Sequence, residues 1–131
     1  MTIILQSEDI KKCVELNEQL IPVIEDAAPA LGGIHKTKKV GSVSTMTGFS
    51  FGPDKNLNTG EGGLIVTNDD DLAEKVYCLR DHGRDQSGDV IAWGYNSRLD
   101  NLQAAILDYK LKSFDRDIER RRAIAQLYHD G

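Results

Sequence analysis

Apolar positions along the chain fall into short continuous runs and longer periodic stretches, the pattern of strands alternating with helices. Residues 1–5 form an apolar run of strand length. Ser7, followed by Glu8 and Asp9, predicts a helix N-cap with acid in the first turn. Ile10, Cys13, Val14, Leu16 and Leu20 then continue at broadly helical spacing. Residues 21–24 (Ile-Pro-Val-Ile) read as a second buried strand, with Pro22 near its start, where a missing donor is tolerated. Strand, helix and strand within about 25 residues predict a βαβ unit with its strands parallel.

The middle of the chain changes period. Residues 35–39 read as a basic turn, and 45–51 as a strand with Thr45, Thr47, Phe49 and Phe51 on one face. A loop with one proline and four glycines spans 52–63, and residues 63–67 form the next strand. Asn68 is expected to cap a helix whose first turn holds Asp69, Asp70 and Asp71, with Leu72, Val76 and Leu79 on its inner side. Residues 81–95 are polar and predict a loop or irregular hairpin. Ser97 with Asp100 three residues on matches a capping box, and Leu99, Leu102, Ile106 and Tyr109 follow at helical spacing. A last helical stretch carries Phe114, Ile118, Ala125 and Tyr128. The fold class is therefore α/β.

Composition leaves that picture in place and removes some functions. The 131 residues suit one compact domain, and 40% hydrophobic with 28% charged residues is an ordinary globular balance. A net charge of −5 argues against nucleic acid, which demands a basic face. The densest basic run, Arg120-Arg121-Arg122, reads as a solvated helix face. No signal peptide or membrane span is visible, so a cytoplasmic location with free thiols at Cys13 and Cys78 is expected. His35, His82 and His129 are scattered, and no metal site is expected.

Four segments carry candidate chemistry. Asp26 closes the run Val23-Ile24-Glu25-Asp26-Ala27-Ala28, and the carboxyl end of a parallel strand is where open α/β sheets bind ligands. Ser50 and Lys55 stand five residues apart in Phe49-Ser50-Phe51-Gly52-Pro53-Asp54-Lys55-Asn56-Leu57. A loop lysine that is partly desolvated can act as an amine nucleophile. Gly60-Glu61-Gly62-Gly63 lacks the order of a phosphate-binding P-loop and reads as a tight turn. Asn96 precedes a helix N-terminus, a position suited to anions. Each segment alone also fits a plain loop or cap.

In order, however, these segments, with Gly-Gly-x-Ile-Val-Thr-Asn-Asp and Leu-Arg-x-His-Gly between them, closely resemble the DegT/DnrJ/StrS family of sugar aminotransferases. The resemblance runs from about Ile3 to Tyr128. It implies a partial type I pyridoxal-phosphate-transferase large domain: a mostly parallel central sheet of about four strands with flanking helices. It implies pyridoxal 5'-phosphate as cofactor, with Lys55 as the lysine that holds it and moves the substrate proton. Asp26 matches the acid facing the pyridine nitrogen, where a carboxylate keeps the ring able to accept electrons. Ser50 matches a hydroxyl on the cofactor phosphate. Asn96 matches an asparagine that reaches the partner subunit's cofactor, which implies a homodimer.

The implied reaction moves an amino group from an amino acid, with glutamate the expected donor, to a keto sugar on a nucleotide carrier. Lys55 disfavours the family's dehydratase branch, which carries histidine there. Pro29 departs from the pattern, because the family usually places glutamine or histidine there, so cofactor binding is expected to be weaker or differently arranged. The 131 residues are expected to be a single truncated domain, lacking an N-terminal part and a C-terminal small domain. The isolated chain is therefore expected to be inactive in catalysis and to self-associate. The competing reading is a non-catalytic fragment that acts at most as a binding or self-associating module.

Overall fold

The computed structural model describes residues 21–131. The expected strand at 1–5, the helix at 10–20 and Cys13 lie outside the described residues. The rest is α/β. Five strands, β1 (Ile24–Asp26), β2 (Ile34–His35), β3 (Lys38–Lys39), β4 (Met46–Ser50) and β5 (Gly63–Val66), precede three helices, α1 (Asp70–Arg80), α2 (Asn101–Leu111) and α3 (Phe114–Asp130).

The main sheet has the order β1-β4-β5. β1 runs parallel to β4, with Glu25 beside Thr47 and Asp26 beside Gly48. β5 runs antiparallel to β4, with Ser50 opposite Gly63 and Thr47 opposite Val66. The fourth expected strand, at residues 1–5, lies outside the described residues; the three described strands form a mixed sheet, where a mostly parallel one was expected. The physical reason lies in the connection. Residues 51–62 contain no helix, and only a crossover of a dozen or more residues, usually helical, returns a chain parallel.

The basic turn at 35–39 is a two-stranded hairpin pairing Ile34 with Lys39 and His35 with Lys38. Its tip holds Lys36 in the left-handed region, at φ 55°.

Alternation along β4 sets the core. Thr47, Phe49 and Phe51 are buried on one face, as the pattern predicts, and Thr47 is 0% exposed. Phe51, Leu57 and Leu107 form the core cluster, with Leu31, Leu99 and Phe114 against its rim. The loop, the start of α3 and one face of α2 are thereby held together.

Two helix starts differ from the sequence reading. The cap of α1 is Asp69, whose carboxylate accepts from the Leu72 amide at 3.0 Å, and Asn68 plays no such part. An aspartate already inside an acid-rich run supplies the better acceptor at the N-terminal dipole. α2 begins at Asn101 with Asp100 at its cap position, so the capping box at Ser97 does not form. Arg98 instead meets Asp81 at 3.3 Å.

Packing against Phe51 and Leu57 selects the inner face of α2. Leu107 is its buried residue, while Leu102 is 72% exposed and Tyr109 is also on the outside. α1 buries no residue, and Leu79, expected inside, is exposed; Ala73, Val76, Tyr77 and Arg80 line an open cleft between α1 and β5.

Candidate functional site

The site is built at the end of β4. Asp26 closes β1 and lies beside Gly48, and Ser50 is two residues further along β4, on the same face by the pleat. Gly48 leaves space between them: a Cβ built there meets nothing within 4 Å. The Ala27 amide donates to the Gly48 carbonyl at 2.9 Å, which continues the β1–β4 ladder past Asp26. Asp26 then folds its own turn, accepting from the Ala28 amide at 3.0 Å.

The opposite face of the same strands carries a polar clamp. The Ser44 and Thr47 hydroxyls lie 2.5 Å apart and within 3.2 and 3.1 Å of the Glu25 carboxylate, so one of them donates to Glu25 and the other donates either to Glu25 or to its neighbouring hydroxyl. Thr47 is fully buried, and its hydroxyl is satisfied by this network. The clamp fixes the register that sets Asp26 beside Gly48.

Lys55 sits in the loop between β4 and β5. The loop is closed at its neck, where the Phe51 amide donates to the Gly62 carbonyl at 2.9 Å and the Thr59 amide to the Phe51 carbonyl at 3.0 Å. Ser50 accepts from the Gly52 amide at 3.2 Å, and the Lys55 amide donates to the Gly52 carbonyl at 3.1 Å. One tight turn therefore links the hydroxyl to the lysine.

The Lys55 side chain is only 23% exposed and its ammonium pairs with Asp54 at 2.8 Å. The hydrogen bond from Lys55, helped by the Asp54 backbone amide and the ammonium's charge, holds the Asp54 carboxyl below its ordinary value, against a small opposing effect of burial. Asp54 is itself exposed, so water screens the pair and little holds the ammonium there.

Asp26 and Ser50 are thus brought to one sheet face with Lys55 in the adjoining loop. Asn96 is placed elsewhere. It bridges to Asp81 at the end of the 81–96 hairpin and lines the open cleft along β5 with Val66, Tyr77 and Arg80. Gly48 connects the two places, being beside Asp26 and also on the wall of that cleft.

Pro29 lies in the turn after β1, where the Ala30 amide donates to the Ala27 carbonyl at 2.9 Å. The sequence reading did not single out Asp54, Asn58 or Lys110, which surround Lys55 and its loop. Asp54 adjoins Lys55 and was open to inspection, whereas Asn58 and Lys110 meet across 52 positions. Among the described residues no group of three or more His, Cys, Asp or Glu could hold a metal ion. None of their helices is long and apolar enough to cross a membrane.

The model of the DegT/DnrJ/EryC1/StrS aminotransferase family matches residues 6–131, and the chain belongs to this family. It is 50% identical over 107 residues to the "Pleiotropic regulatory protein" of Geobacillus stearothermophilus, a match covering 81% of this chain and 29% of that protein. It is also 50% identical over 109 residues to the dTDP-3-amino-3,6-dideoxy-alpha-D-galactopyranose transaminase of Aneurinibacillus thermoaerophilus, covering 82% of this chain and 30% of that enzyme. Among solved structures, a DegT DnrJ EryC1 StrS aminotransferase from Brucella abortus superposes with a TM-score of 0.87 at 33% identity, over 98% of this chain and 34% of that one. The chain thus spans about a third or less of the proteins it matches.

Proposed function

We propose that these residues are the lysine-bearing part of a pyridoxal-phosphate-binding domain, truncated relative to its whole enzyme. The whole enzyme transfers an amino group from an amino acid, with glutamate the expected donor, to a keto group on a nucleotide-linked sugar. One observation carries the reading. A carboxylate and a hydroxyl share one sheet face across an open glycine, and a half-buried lysine stands in the loop that leaves the hydroxyl.

That donor set fits a flat, phosphorylated heteroaromatic aldehyde. Asp26 would face its ring nitrogen, Ser50 would bind its phosphate and Lys55 would hold it covalently. When bound, the cofactor supplies an electron sink for the carbanion of the reaction. The chain's own tasks are to orient the ring with Asp26, to anchor the phosphate with Ser50, and to hold or move a proton at Lys55 Nζ. Lys55 must first leave Asp54, and the exposure of that pair makes the release easy.

Several supporting readings are also proposals. Asn96 stands on a hairpin with the exposed apolar residues Val90, Ile91, Trp93 and Tyr95, and Trp93 is 97% exposed. This surface suits contact with a second copy, in which Asn96 would reach that copy's cofactor. A monomer-sized elution peak at micromolar concentration would contradict the self-association. A cytoplasmic location accords with the reaction.

Adding pyridoxal phosphate to the chain tests the reading. Absorbance near the visible edge, characteristic of a lysine-bound cofactor, should develop in the unmodified chain. Lys55→Ala should abolish it with unchanged far-UV circular dichroism, and Asp26→Asn should weaken it. Equal absorbance in the Lys55→Ala variant would sink the assignment of Lys55.

A further inference from the structure

We propose that Lys110, on α2, is a positioning residue for Lys55 and acts through Asn58. The inference rests on the reading of Lys55 as the reactive amine, and it deepens that reading.

The Lys55 loop has a closed neck but needs a second support further out. Two contacts from α2 provide it. Leu107 is buried against Leu57 and Phe51. One turn further along the same helix face, Lys110 reaches the loop as well. Its ammonium donates to the Asn58 backbone carbonyl at 2.7 Å and to the Asn58 side-chain carbonyl at 2.9 Å. Asn58 in turn donates from Nδ2 to the Lys55 carbonyl at 3.2 Å. A continuous path of hydrogen bonds therefore runs from the helix to the backbone of Lys55.

The choice of a lysine has a physical basis. Both acceptors are neutral carbonyls, and no ion pair between Lys110 and a carboxylate is found among the described residues. The ammonium is thereby used as a doubly bound strut. A charged donor makes such bonds shorter and about twice as strong as a neutral one. Gripping both oxygens of Asn58 also fixes the orientation of its amide, which leaves Nδ2 facing the Lys55 carbonyl.

The neighbouring Asp54 contact cannot do this work. It holds only the side-chain end of Lys55 and comes from an exposed carboxylate, whereas the Asn58 path holds the main chain from which the side chain projects.

Lys110→Met tests the proposal, since methionine keeps the stem and the helix propensity but donates nothing. Hydrogen–deuterium exchange at the Thr59 and Lys55 amides should accelerate on the order of tenfold, the loss expected for bonds from a charged donor. The Ala73 amide in α1 should change less than twofold. Lys110→Arg should restore the loop's protection to within about threefold, since it supplies charged donors of similar reach. In parallel, borohydride trapping with pyridoxal phosphate should lower the yield on Lys55 relative to Lys112 in the methionine variant on the order of tenfold.

Exchange at Thr59 unchanged within twofold in Lys110→Met would overturn the proposal. A rise of equal size at Ala73 would also overturn it, because the role would then be general stability. If the unmodified chain shows no trapping on Lys55, the cofactor reading fails, and loop exchange still decides the role of Lys110. If Lys110→Met does not fold, Asn58→Ala, which leaves α2 intact, must loosen the Lys55 amide in the same local way. Failure to do so counts against the path.

Discussion

Replacing Gly94 by alanine is expected to destabilise the chain by about 3–5 kcal/mol, the range of the most disruptive point substitutions. The hairpin of residues 81–96 folds back so tightly that the backbones of Gly83 and Gly94 lie against each other. A Cβ on Gly94 would fall on the Gly83 amide nitrogen, and one on Gly83 would fall on the Ala92 carbonyl. Both obstacles are backbone atoms, so no change of rotamer relieves them.

Relief would have to come from parting the strands. That would break the bonds from the His82 amide to the Tyr95 carbonyl at 2.8 Å, from Tyr95 to Leu79 at 2.6 Å and from Ser97 to Arg80 at 2.8 Å. His82 and Gly83 already occupy the left-handed region, at φ 59° and 75°, so the turn has little slack. Urea unfolding followed by circular dichroism measures the cost. The emission of Trp93, the single tryptophan, reports on the hairpin itself. A Gly94→Ala variant within about 1 kcal/mol of its parent would refute this packing.

Phe51→Ala should cost a similar amount, about 3–5 kcal/mol. The core cluster is small, so one aromatic ring is a large share of it, and small domains hold only about 5–15 kcal/mol of stability in total. Phe51 also ties the structure to the chemistry. It follows Ser50 directly, its amide and carbonyl close the neck of the Lys55 loop, and its ring seats Leu57. The variant should therefore lose protection at Thr59 as well as global stability. Leu102→Ala is the control, since its exposed side chain should cost less than about 0.5 kcal/mol. Equal costs for the two would show that the core is not where Phe51, Leu57 and Leu107 meet.

The parts of this molecule that could be read from sequence are those set by local patterning. Alternation of Thr47, Phe49 and Phe51 identified the buried face of β4. The acid-rich turn before Leu72 identified α1, although it was Asp69 and not Asn68 that took the cap. The identities of Asp26, Ser50 and Lys55 as candidates came from ordered motifs, and the register of β1 on β4 explains how the first two come to share a face.

Features set by distant contacts were not legible. A formal capping box at Ser97 suggests a start three residues before the cap at Asp100, and the apolar spacing alone does not say which side of α2 faces the core. Packing of Leu107 on Leu57 chose the face instead. The antiparallel run of β5 does leave a local signal, since a connection without a helix does not easily return a strand parallel. The bonds from Lys110 to Asn58 left no local trace at all, because nothing in either neighbourhood specifies a partner 52 residues away.

The central claim is that Lys55 is the amine that captures the cofactor, and peptide mapping after borohydride reduction of the chain with pyridoxal phosphate tests it most directly. Exposure alone predicts the wrong residue, since the Lys112 side chain is 71% exposed and that of Lys55 only 23%. The account predicts that the reduced adduct is concentrated on Lys55 and depends on Asp26. An adduct spread over Lys75, Lys112 and the other surface lysines in proportion to their exposure would contradict it.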